Sequence, residues 1–434
     1  MKTHCEDLFA YIAQSPTAFH AVEQTAQRLE AQGFEQLQEH QAWQLKPGGR
    51  YFVTRNQSSL IAFVMPKQAG AGWRMTAAHT DSPGFKVKGT SQKAGFTMLD
   101  TEGYGGMIRS AWMDRPLGVA GRVTVATQKG VESRLVDLGG QVATIPHLAI
   151  HLDRTVNDGH TYDLKKDMQA VYGPAGSGQQ LEVELAKAAG CQPEEILGRD
   201  LYLYCSEEGQ LVGAEDAFVL CPRLDDLACA WACLTGFLQA PESTGGRVLC
   251  LFDNEEVGSG TRQGACGSFL PDVLARAAQA LGESREQQAI SLAHSLLLSA
   301  DNGHAIHPNF AEMSDANHPV ELGKGIVLKF NASQKYTTNA VTAALVHQVC
   351  RAAGAGVQEY YNRADLPGGS TLGNLLAAQV SVPMADIGLP QLAMHSSVEM
   401  AAAADVSALV RTCEAWYRAE ICCTADGGYQ LELA

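Results

Sequence analysis

The sequence predicts an α/β fold, an apolar sheet sandwiched by helices. Three observations lead there. From Phe218 onward, strand-length apolar runs alternate with segments of helical period. The run Arg247-Val248-Leu249-Cys250-Leu251-Phe252 is apolar on both faces, as in a strand covered on both sides. Such runs also end abruptly on acidic residues or histidine, the side of an open α/β sheet where ligands bind.

Taken in order, Ser15-Pro16 opens a helix, Phe19, Val22, Ala26 and Leu29 follow at helical spacing, and Gly33 closes it. Tyr51-Phe52-Val53 and Leu60 to Met65 are strands around the polar turn Asn56 to Ser59. Trp73 to Ala78 is a third strand, ending on His79-Thr80-Asp81-Ser82-Pro83-Gly84. The next acidic strand end is Asp225, far beyond the reach of any loop, so a domain is inserted between them. Its strands are Gly121 to Ala126 and Ser133 to Leu138, with loops at Gly103 to Gly106, Gly139-Gly140 and Gly173 to Gly178. Lys165-Lys166-Asp167 is an exposed charged stretch.

Phe218-Val219-Leu220 resumes the first domain, and Pro222-Arg223-Leu224-Asp225-Asp226 leads into a helix through Trp231, Leu234 and Leu238. The strand Arg247 to Phe252 follows, then a helix over Ser268 to Leu281 and a buried strand Leu296 to Ala300. Ile326 to Phe330 is a further strand, a helix covers about Asn339 to Ala353, and the last helix covers Val406 to Ile421. The division is therefore 1–84 with 210–434 for one domain and 85–209 for the β-rich insertion.

Bulk properties bound the function. Hydrophobic content of 46% with 18% charged residues is that of a soluble globular protein, and no run is long enough to span a bilayer. The start Met1-Lys2-Thr3-His4-Cys5 is no signal peptide. Twelve cysteines without a Cys-x-x-Cys pair, several inside apolar runs, suit reduced thiols and a cytoplasmic location. A net charge of −15 argues against nucleic acid or an anionic membrane as partner.

Chemistry concentrates at five strand ends or adjacent loops: His79, Asp225, Glu255-Glu256, Asp301 and His395. Two histidines and several carboxylates form a normal ligand set for zinc, and a pair of ions bridged by an aspartate needs about this number. Adjacent glutamates face different ways, so one can hold metal while the other handles a proton. Asp81, two residues after His79, suits a partner that fixes the imidazole. Lys329, on an apolar strand, is costly unless it meets an anion. His147 and His151, four residues apart in an alternating stretch, would share one face.

The stretches Ala78-His79-Thr80-Asp81-Ser82-Pro83, Pro146 to Leu152, Arg223-Leu224-Asp225-Asp226, Glu255 to Ser259, Ser299 to Ala305, Gly368 to Gly373 and Met394-His395-Ser396 together resemble the aspartyl aminopeptidases. These are dinuclear zinc exopeptidases with a phosphorylase-like mixed sheet. The resemblance implies that His79 and Asp301 hold one Zn²⁺, Glu256 and His395 the other, and that Asp225 bridges them. Co²⁺ or Mn²⁺ would be substitutes. It makes Glu255 the base for a hydroxide shared by the ions, and Asp81 the support of the His79 side. It places Lys329 near an acidic substrate side chain, and has His151 reach a neighbouring subunit's active site to stabilise the oxyanion. It further implies a dimerisation role for the insertion, a homo-oligomer of dodecameric form, and peptides with a free N-terminus as substrates. The family often has asparagine where this chain has Asp226, which adds a negative charge beside the metals.

Two other classes compete. A related zinc carboxypeptidase or deacylase would want an arginine for a terminal carboxylate, and Arg223, Arg262 and Arg363 are in position. A non-catalytic metal-stabilised assembly protein would be expected to have lost a ligand or the base, and this chain keeps all of them. Gly258-Ser259-Gly260 is neither a nucleophile elbow nor part of a dinucleotide fingerprint.

Overall fold

The computed structural model describes residues 1–433. Its largest sheet has nine strands in the order Glu35–Leu37, Arg50–Arg55, Ser59–Val64, Gly246–Phe252, Trp73–His79, Leu296–Ala300, Met384–Gly388, Ile326–Phe330 and Val357–Tyr361. Pleating sends alternate side chains of Gly246–Phe252 to opposite faces. Leu249 and Leu251 enter one core with helices Leu224–Gln239, Ala340–Ala352 and Ala403–Arg418 and the N-terminal pair Lys2–Ala13 and Ala18–Ala31. Val248, Cys250 and Phe252 enter the other, under Phe269–Ala280 and Leu372–Gln379. Each large side chain so buried contributes about 1.5–3 kcal/mol, which is why this strand has no polar face. It runs parallel to Trp73–His79 and antiparallel to Ser59–Val64, so the sheet is mixed.

A second, six-stranded sheet takes all its strands from Gly84 to Cys205, in the order Gly130–Asp137, Leu117–Thr127, Ile196–Cys205, Gly84–Lys93, Phe96–Tyr104 and Ala170–Pro174. Its own core includes Phe85, Val119, Val123 and Leu201, with Leu181 and Leu185 from helix Gly178–Ala189. Arg122 ties it to the rest, donating to the Asn56 carbonyl at 2.7 Å and lying over the Phe19 ring. A five-stranded sheet links Gln210–Val212, Phe218–Cys221, Glu399–Ala402, Pro390–Leu392 and Gly303–His304.

Some elements differ from expectation. The helix expected from Ser15 begins at Ala18, because Thr17 is extended (φ −143°). Lys2–Ala13 and Arg285–Ala293 are additional helices. Gly173 lies in a strand that pairs with Phe96–Tyr104 rather than in a loop. The last helix ends at Arg418, and Ile421 belongs to the hairpin of Glu420–Ala425 with Gly428–Glu432. All twelve cysteines are free thiols. Among the described residues no helix is long and apolar enough to cross a membrane.

Candidate metal centre

Three neighbouring parallel strands bring half of the site together. Phe252 is in register with His79, and Leu296–Ala300 flanks Trp73–His79 on the other side. The residues just beyond these strands, Glu255, Glu256 and Asp301, therefore converge on His79. The five-stranded sheet supplies the other half: Asp225 follows Phe218–Cys221, and His395 lies between Pro390–Leu392 and Glu399–Ala402. His79, Asp225, Glu255, Glu256, Asp301, Lys329 and His395 all line one cavity of about 270 Å³.

Within it, two groups of three have ligand atoms within 4.8 Å of one another and share Asp225: His79, Asp225 and Asp301, and Asp225, Glu256 and His395. A third such group is His79, Glu255 and Glu256. His79 Nδ1 faces the Asp81 carbonyl at 2.9 Å and His395 Nδ1 faces the Gly106 carbonyl at 3.1 Å. A carbonyl only accepts, so each Nδ1 carries a proton and each Nε2 is turned to Asp225, at 3.4 Å and 3.3 Å.

The expected support of His79 by Asp81 thus takes another form. The main-chain carbonyl of Asp81 orients the ring, while its carboxylate is 3.4 Å away and accepts the backbone N–H groups of Glu255 and Glu256, both at 3.2 Å. Tyr104 donates to the same carboxylate at 2.7 Å. Asp81 therefore holds the turn that carries both glutamates.

The charges suit a cation. Burial, reinforced by Asp301 and Asp81, pushes the Glu255 carboxyl up to about 8. Burial next to Asp225 raises Glu256 well above the carboxylate range. Burial alone would lower both imidazoles, but Asp226 and Asp225 raise His79 well above its usual value. Asp225 and Glu256 bring His395 to about 10. Asp225 Oδ1, Asp226 Oδ1 and Glu256 Oε1 are buried without a hydrogen-bond partner. Orphaned buried carboxylate oxygens beside two imidazole Nε2 atoms fit a metal better than any protein partner here. Asp226 Oδ2 accepts the His79 N–H at 3.2 Å, and burial raises this extra carboxyl well above its ordinary range.

Lys329 is buried, and its ammonium donates to Asp301 Oδ1 at 3.1 Å and to the Asn302 carbonyl at 2.6 Å. Neither Arg223, Arg262 nor Arg363 lines this cavity. Arg223 serves the Cys205 and Ile12 carbonyls, Arg262 pairs with Glu39, and Arg363 with Asp365. His151 is exposed and outside the cavity. The alternating stretch expected at 146–152 is a correction: no neighbouring strand pairs with it, and Leu152 N–H bonds the Ala149 carbonyl to make a turn. His147 meets Asp114 at 2.6 Å.

Two supporting residues escaped the sequence. Glu399, buried, accepts the N–H of Asp225 at 2.9 Å and that of His395 at 2.7 Å. Its only trace is an isolated acid in Val398-Glu399-Met400-Ala401-Ala402. Asn302 also went unmarked; its side chain donates to the Leu224 carbonyl and Gln391 Oε1, both at 2.8 Å.

Comparison with known proteins shows the family. The family described as Aminopeptidase I zinc metalloprotease (M18) matches residues 11–417. A Pseudomonas aeruginosa protein described as probable M18 family aminopeptidase 2 is 40% identical over 422 residues, 95% of this chain and 97% of that one. The solved Ape4 in complex with Nbr1 superimposes with a TM-score of 0.93 at 34% identity, covering 96% of this chain and 86% of that chain. The Saccharomyces cerevisiae mApe1 dodecamer gives 0.83 at 29% identity, covering 95% and 96%.

Proposed function

The chain belongs to the M18 family of zinc aminopeptidases, and on that premise we propose that it releases acidic N-terminal residues, Asp or Glu, from peptides with two ions per chain. The observation that carries the two-ion reading is the pair of three-residue groups sharing Asp225. His79 and Asp301 would hold one ion, Glu256 and His395 the other, and Asp225 would bridge. Bound there, zinc supplies Lewis acidity to water and to the scissile carbonyl.

The chain's own residues do the rest. Glu255 takes the proton of the attacking water and returns it to the leaving amine. Asp81 fixes the turn that aims Glu255. Lys329 has three N–H donors and uses two on Asp301 and Asn302, so one is left for a substrate carboxylate in the cavity it lines. The segment 1–84 with 210–434 acts as catalytic domain and 85–209 as a dimerisation domain. Its exposed Leu148, Ile150 and Leu152 around His151 suit burial against a second copy. From there His151 would serve the neighbour's oxyanion, within a dodecamer like that of mApe1.

A panel of aminoacyl substrates, each with a free and an N-acetylated amine, tests the activity. Turnover of the free Asp and Glu forms, lost on acetylation and on chelation, is expected. Preference for the acetylated forms would refute it.

A further inference from the structure

The metal cavity does not end at its own wall. A second cavity of about 280 Å³ adjoins it and shares three residues, His304, Tyr360 and Gly369. Each alone falls just short of the roughly 300–1,000 Å³ of small-molecule sites, and the joined pair falls within that range. The second is chemically unlike the first. Its wall offers Met313, Val320, Leu366, Pro367 and the ring of Tyr361. Tyr361 is held flat against Phe330, ring centres 5.0 Å apart, and meets His318 at 4.4 Å. Its charges are already matched: Asp315 with His318 at 2.9 Å, and Arg363 with both oxygens of Asp365 at 2.6 Å and 2.9 Å. What remains open is mainly apolar and aromatic surface, with Met313 half exposed, beside Ser314 and Asn362, whose Oδ1 is buried without a partner.

We propose that this second cavity is the subsite for the second residue of the substrate and selects an apolar or aromatic side chain there. This rests on the aminopeptidase reading above, in which the first side chain lies against Lys329. Successive side chains of an extended peptide point to opposite sides, so the second turns away from Lys329, and the shared residues His304, Tyr360 and Gly369 open its way into the second cavity.

The full-length, metal-loaded protein is given tripeptides X-Phe-Ala, X-Gly-Ala and X-Asp-Ala, with X its preferred first residue, and the amide of X. Burying a phenyl ring should raise kcat/KM for X-Phe-Ala about tenfold or more over X-Gly-Ala. Met313→Asp should collapse that ratio toward one, and Leu366→Asp, also on that wall, should repeat the result. A ratio is taken within one protein, so a general loss of activity cancels. Turnover with equal kcat/KM for the three peptides, or a ratio unmoved by both variants, overturns the subsite while leaving the aminopeptidase reading intact. Failure to turn over the amide and every peptide removes both.

Discussion

Glu399 and Asp225 lie 174 residues apart in the chain, yet the carboxylate of one accepts the backbone N–H of the other at 2.9 Å. With its second oxygen Glu399 holds His395 at 2.7 Å, so one buried side chain sets two candidate ligands. Glu399→Ala leaves both donors without their acceptor and should weaken metal binding by about 10- to 100-fold. Glu399→Gln keeps one oxygen and should fall between. Metal titration of the variants checks this; unchanged affinity in Glu399→Ala would remove Glu399 from the site.

Metal uptake should release protons. In the metal-free chain burial lowers His395, but Asp225 and Glu256 carry it to about 10, and Asp226 and Asp225 raise His79 well above its ordinary value. The His395 ring is then imidazolium at neutral pH. The sign follows: for these raised groups the favourable pairing is complete below about 6.5 and lost as pH rises through the folded value. A ligand nitrogen must shed its proton, so binding at pH 7.5 should release protons, and affinity should rise with pH. A pH-stat titration with zinc reads this directly. Uptake without proton release would contradict it.

Lys329→Met should cut turnover of aspartyl and glutamyl substrates far more than of alanyl ones. It also strips Asp301 of its buried partner at 3.1 Å, so some loss of metal affinity should accompany it. Saturating metal in the assay separates the two effects. An equal loss on all three substrates would take Lys329 out of the specificity pocket.

His151→Phe and Glu255→Gln should each be inactive alone and partly active when co-assembled, because one mixed site regains both groups. Activity of the mixture against either parent is the measurement. No gain would leave His151 as an ordinary surface residue of its turn.

How far the sequence reached follows from burial. The strands ending on His79, Glu255 and Asp301 were legible because both their faces are covered, which forces apolar runs that stop where the ligands begin. Gly84–Lys93 was not, since its second half is exposed and reads Gly-Thr-Ser-Gln-Lys without alternation. Glu399 was invisible because its role is to accept two main-chain N–H groups, and those leave no mark in sequence. The turn at His151 was misjudged because alternation makes a strand only where a neighbour offers hydrogen bonds. Asp81 was picked for the right neighbourhood, and both its carbonyl, at 2.9 Å, and its carboxylate, at 3.4 Å, face His79 Nδ1.

The central claim, two ions sharing Asp225 with Glu255 free to move a proton, is tested most directly by metal content measured beside turnover in two adjacent variants. Glu255→Gln should retain two ions per chain while turnover falls by roughly 10²–10⁴-fold. Glu256→Gln should lose metal first and regain activity as metal is added. The reverse pattern, with Glu255→Gln losing metal and Glu256→Gln binding two ions inertly, would contradict the account, as would full turnover by the metal-free protein.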